Sequence, residues 1–110
     1  METISPIIDR ELALERAGGS ADLADELFAM LLHELPLRRE RVQESFQRDD
    51  TDTLLDQVHK LNGSATYCGV PALKEAAERL ELRLKRGSGA VQEAEIRAVL
   101  AEIDRVLRIG

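Results

Sequence analysis

Leu54, Val58, Leu61, Ala65 and Cys68 follow one another in steps of four, three, four and three. On a helix turning about 100° per residue these side chains stay within roughly 40° of one line, so the spacing describes an amphipathic helix with one buried stripe. The same periodicity recurs in Leu73, Ala76, Ala77, Leu80 and Leu84, and again in Ile96, Val99, Leu100, Ile103, Val106 and Leu107. Upstream it is carried by Ala24, Leu27, Phe28, Leu31, Leu35, Val42 and Phe46. No stretch sustains the period-two alternation of a half-buried strand.

The breaks between these stripes carry helix-end chemistry. Ser20 can cap a long helix over about 20–47, with Asp22 in its first turn. Pro36 removes one ladder donor and is expected to kink this helix without ending it, because the apolar face resumes in phase at Val42 and Phe46. Asp49, Asp50, Thr51 and Asp52 supply a turn and cap for the next helix, about 51–67, which Gly69 closes. Pro71 opens a third at about 71–86, Gly87-Ser88-Gly89 ends it, and a fourth covers about 90–108. Ahead of these, a short helix at about 9–17 is capped by Asp9 and stopped by Gly18-Gly19, with Ile8 and Leu12 on one face. It is too short to hold alone and is expected as a lid on one end of the others. The expectation is one all-α domain over 1–110, an antiparallel up-down four-helix bundle with a short extra N-terminal helix.

Composition suits a bundle and narrows the partners. Aromatic residues make up 3% of the chain and hydrophobic residues 44%, so the core must be Leu, Ile, Val and Ala. The net charge of −6 argues against nucleic acid or an anionic membrane surface. Cys68 is the single cysteine and lies on the core stripe, which reads as a buried structural thiol. No apolar run approaches the ~18 residues of a membrane span.

His59 is the residue the stripe does not explain. It lies about 140° from the Leu54 direction, on the solvent side of its helix. Four residues on stands Gly63, which costs roughly 1 kcal/mol against Ala in a helix interior. Residues i and i+4 share a face, so the missing side chain leaves one flank of the imidazole open to a bulky group. An ordinary exposed histidine is the plain alternative. A core histidine is excluded by direction.

The run His59-Lys60-Leu61-Asn62-Gly63-Ser64, with Gly69-Val70-Pro71 after it and Leu73, Leu80 and Glu81 beyond, resembles the histidine-containing phosphotransfer domains found at the C-termini of tripartite hybrid sensor kinases. The resemblance implies a four-helix bundle whose exposed histidine accepts a phosphoryl group from a receiver-domain aspartyl phosphate and passes it to another receiver. His59 would be the phosphoacceptor, through Nε2. Such a domain has no cofactor of its own; Mg²⁺ comes with the receiver. It further implies a monomeric, cytoplasmic phosphocarrier without autonomous catalysis, making no direct membrane contact, attached in its parent protein to a membrane-bound kinase.

Lys60, Asn62, Gly63, Ser64, Glu81 and Lys85 are the expected supporting residues. Many relatives carry a lysine three residues after the histidine, where this chain has Asn62, so charge compensation would fall to Lys85 or Lys60. Glu81 and Lys85, four apart, lie at about 80° and 120° from Leu73, where they could orient the histidine or form a surface ion pair. Lys60, about 100° round from His59, reads better as a docking contact. Receiver docking is expected beside the N-terminal segment, whose Ile7 and Ile8 look spare, together with Leu23.

His33-Glu34-Leu35-Pro36 superficially resembles the phosphoacceptor box of dimeric histidine kinases, but lacks two residues before the proline. His33 reads as a solvated side chain. Neither His-x3-His nor Glu-x-x-His occurs, and no nucleophile–base constellation is legible. The main alternative to a phosphocarrier is a helical adaptor that binds a receiver or partner helix without carrying phosphate, which has no need of an open histidine.

Overall fold

A computed structural model describes residues 6–87 and 93–110. Five helices follow in order: α1 (Arg10–Arg16), α2 (Ala21–Gln47), α3 (Thr51–Tyr67), α4 (Pro71–Arg86) and α5 (Glu93–Ile109). The expected start of the last helix, at 90–92, lies outside the described residues. So do Ser88-Gly89 and the first residues of the N-terminal lead-in.

Helix ends form where side chains can take up free backbone N–H groups. Asp9 accepts from Leu12 N at 3.0 Å, Ser20 from Leu23 N at 3.2 Å, and Asp50 from Thr53 N at 3.2 Å. Pro71 begins α4, and Gly87, in the left-handed region at φ 63°, ends it. Helix α2 runs unbroken through Pro36, which is exposed.

The four long helices form an antiparallel bundle, α3 packing between α2 and α4, and α5 closing the ring against α4 and α2. Leu31, Leu35, Val42, Leu54, Val58, Leu61, Leu73, Leu80, Val99 and Ile103 are among its buried residues. Each large aliphatic side chain so buried is worth roughly 1.5–3 kcal/mol. Cys68 is buried too, its Sγ 3.4 Å from the Leu27 carbonyl, and burial followed by the nearby Glu34 charge pushes its thiol up to about 11. No described helix is long and apolar enough to cross a membrane.

Helix α1 buries none of its own residues and covers the α3–α4 turn. There Asp9 N donates to Gly69 O at 2.7 Å and Ala72 N to Pro6 O at 3.2 Å. Gly69 has φ 68°, and a Cβ on it would stand 2.5 Å from Asp9 O and 2.7 Å from the Ala13 Cβ. The glycine both ends α3 and lets the N-terminal segment close over the bundle.

Candidate functional site

Helix α3 buries Leu54, Val58, Leu61 and Ala65, which fixes its rotation and sends His59 outward between α3 and α4 with 68% of its side chain exposed. The ring is nonetheless held. Its Nδ1 lies 2.8 Å from Glu81 Oε2 on α4, and the Glu81 side chain is only 7% exposed. An ionised carboxylate can only accept, so Nδ1 carries a hydrogen, and in the neutral ring this contact leaves the lone pair on Nε2.

Glu81 is gripped from three sides. Besides His59, Asn62 Nδ2 donates to its Oε1 at 3.0 Å, and Lys85 Nζ pairs with Oε2 at 2.8 Å. Burial by itself raises the Glu81 pKa, but the hydrogen bonds from Lys85, Asn62 and His59, and the Lys85 charge, outweigh it and hold the carboxyl down to about 2. The buried group therefore stays ionised behind the imidazole. Glu81 and Lys85 form the i,i+4 ion pair, with its carboxylate buried rather than at the surface, and the same carboxylate touches the histidine.

Gly63 is exposed, and a Cβ built on it meets nothing within 4 Å. Packing does not demand this glycine. It leaves the surface beside His59 unobstructed.

The remaining expected residues fall elsewhere. Ser64 turns toward α2, its Oγ 3.1 Å from both carboxylate oxygens of Glu34. Glu34 also accepts from Arg38 Nε at 3.3 Å, and Arg38 Nη1 donates to the buried Gln57 at 2.5 Å. Lys60 pairs with Asp56 at 3.0 Å, one turn back on its own helix. Ile7 and Ile8 are half-buried and packed against the core, so they are not spare, because the N-terminal segment needs them to dock. They sit at the Gly69 end, about 15 Å along α3 from His59.

Leu23 is exposed, but the pairings Glu34–Ser64 and Arg38–Gln57 put Leu37 level with His59, leaving Leu23 about 20 Å further along α2. Nearer apolar surface was missed in the sequence: Met30, Leu37 and Tyr67, at 67%, 51% and 57% exposure. Leu27, Met30, Leu31, Glu34, Ser64 and Tyr67 line a shallow groove there. The signal was present, since Leu23, Leu27, Met30, Glu34 and Leu37 repeat the four-three spacing as a second row on α2. His33 is exposed on the same helix.

Comparison with known proteins gives the family and the fold. The family model described as "Hpt domain" matches residues 26–109. The chain is 37% identical over 101 residues, 92% of its length, to the sensor histidine kinase GacS of Pseudomonas protegens. It is 38% identical over 102 residues to the signal transduction histidine-protein kinase BarA of Escherichia coli K12, again covering 92% of the chain. It spans about a tenth of the length of these curated relatives, 10% and 11% respectively. A crystal structure of the HPT domain of a sensor hybrid histidine kinase from Shewanella superposes with a TM-score of 0.88 at 34% identity, covering 94% of this chain and 89% of that one. A bundle with this helix order, matched over most of its length in sequence and in backbone, belongs to the Hpt domain family.

Proposed function

We propose that this Hpt domain is a phosphorelay intermediate in which His59 Nε2 takes a phosphoryl group from an aspartyl phosphate of one receiver domain and gives it to another. The observation that carries the reading is an exposed imidazole held from behind, through Nδ1, by a buried carboxylate.

The Nε2 lone pair forms the new N–P bond while the P–O bond to the aspartyl group breaks and the aspartate leaves with the electron pair. Nε2 bears no proton in this tautomer, so no base has to remove one. The ring gains one positive charge, with Nδ1–H 2.8 Å from Glu81, whose negative charge stabilises it as it develops. The same contact operates in reverse when a second receiver draws the group away. In-line approach uses the open surface over Gly63. The acidic pocket and its divalent cation belong to the receiver. By analogy with the kinases it resembles, the domain works on the cytoplasmic side as one part of a longer signalling protein.

The test is incubation with a phosphorylated receiver and Mg²⁺. An acid-labile, base-stable adduct is expected on the parent and on His33→Gln, and none on His59→Gln. An adduct that survives His59→Gln would overturn the assignment.

A further inference from the structure

We infer that Lys85 is the cation that neutralises the phosphoryl group on His59, exchanging Glu81 for the phosphoryl oxygens as the group arrives. The inference rests on the phosphocarrier reading above and assigns a role within that site.

Helix α3 offers no cation beside the ring. Lys60 is its only Lys or Arg; it lies about 100° round the helix from His59 and pairs with Asp56, which does not touch the imidazole. Asn62 spends its amide hydrogen on Glu81, and its buried Oδ1, which has no partner, is an acceptor that phosphoryl oxygens would repel. Lys85 is differently placed. Its Nζ and His59 Nδ1 each lie 2.8 Å from the same atom, Glu81 Oε2, so the ammonium and the ring are no more than two hydrogen-bond lengths apart. The Lys85 side chain is 55% exposed, in the last turn of α4, where its outer bonds can rotate.

Charge balance drives the exchange. In the form of the ring that can attack, Nε2 is unprotonated and the imidazole carries no charge, so Glu81 and Lys85 cancel each other. Afterwards the ring is cationic and satisfies Glu81 directly, while two negative charges have appeared on the phosphoryl oxygens. Lys85 is then the surplus cation and the phosphoryl group the uncompensated anion, and a turn of the lysine side chain brings them together.

The measurement is the equilibrium division of phosphoryl between one receiver and this chain, with ¹⁵N spectra of the His59 ring alongside. Lys85→Gln is expected to accept phosphate but to shift the division about fivefold toward the receiver, the size of a partly screened ion pair. Lys85→Arg should stay within about twofold of the parent. Asn62→Lys added to Lys85→Gln should restore most of the loss, because position 62 already reaches Glu81 from the facing helix. The Nδ1–H tautomer should persist in Lys85→Gln. An unchanged division in that variant overturns the inference, as does failure of both Lys85→Arg and Asn62→Lys to hold the parental value. Loss of the tautomer also overturns it, since Lys85 would then act only by positioning Glu81. No adduct on the parent would instead sink the phosphocarrier reading itself.

Discussion

Helix α3 is flanked by two acid–base pairs of the same pattern, Glu81 and Lys85 on α4 and Glu34 and Arg38 on α2, each four residues apart. Each carboxylate takes hydrogen bonds from α3 side chains, His59 and Asn62 on one side and Ser64 on the other. The two seams nevertheless do different work. On the α2 side the planar Arg38, only 15% exposed, crosses to Gln57 and ties two helices together. On the α4 side the carboxylate is the buried member at 7%, and the cation is the exposed and movable one. An i,i+4 ion pair is therefore uninformative by itself. What distinguishes a site from a helix clamp is which partner is buried and whether the third group has reactive atoms left over.

The sharpest way to break this comparison is to remove the reactive group on each seam. His59→Gln should abolish phosphoryl acceptance with little loss of stability, and Ser64→Ala should leave transfer within about twofold of the parent. Radiolabel transfer from a phosphorylated receiver reads both; comparable losses would erase the distinction. Gly63 lies between the seams. Gly63→Leu should lower the transfer rate about a hundredfold by displacing the receiver, and Gly63→Ala should raise stability by up to about 1 kcal/mol in urea melts. A leucine variant transferring at the parent rate would mean that the open space is not used.

Exchanging charge for a neutral amide of the same shape sharpens the contrast. Glu81→Gln can still accept from Nδ1 but cannot balance a cationic ring, so transfer should slow about tenfold. Glu34→Gln should change the transfer rate less than about twofold and cost about 0.5–1 kcal/mol of stability. The exposed row on α2 gives a smaller effect than the Glu81 exchange. Met30→Asp should weaken receiver binding about fivefold without unfolding the domain, whereas Ala98→Asp on the far helix α5 should not. Titration calorimetry with an unphosphorylated receiver would show the difference, and equal losses would move the docking surface away from α2.

Much of this architecture is legible in the sequence because its causes are local. Helix periodicity, the caps at Ser20 and Asp50, and Pro71 at the start of α4 depend on neighbours a few residues apart, and the outward direction of His59 follows from the stripe opposite it. What depends on how two helices meet is not. The wheel leaves Glu81 at the edge of its stripe, and only the packing of α4 on α3 makes it a buried acceptor for His59. The Glu34–Ser64 pairing lies 30 residues apart in the chain and carries no local signal. Ile7 and Ile8 look spare in a segment too short to fold alone, yet the turn at Gly69 gives them a surface to cover.

The remaining test separates Glu81 from an ordinary surface carboxylate by its pH dependence. Its folded pKa, about 2, lies below that of an unfolded glutamate, near ~4.3, so the contribution to stability is complete above the unfolded value and disappears as pH falls through the folded one. Protonation weakens the hold on His59, Asn62 and Lys85 together. With solvent screening on the Lys85 side, the loss between about pH 4.5 and pH 2 should come to about 1–2 kcal/mol. Asp104 is a useful contrast on another seam. Its pKa is also lowered, chiefly by the hydrogen bond from Arg39 at 2.7 Å, but 41% of its side chain is exposed. Urea melts at a series of pH values should show the acid limb flattened more by Glu81→Gln than by Asp104→Asn. If Asp104→Asn flattened it more, the burial of Glu81 would have no energetic consequence, and the two flanks of α3 would differ only in the groups they hold.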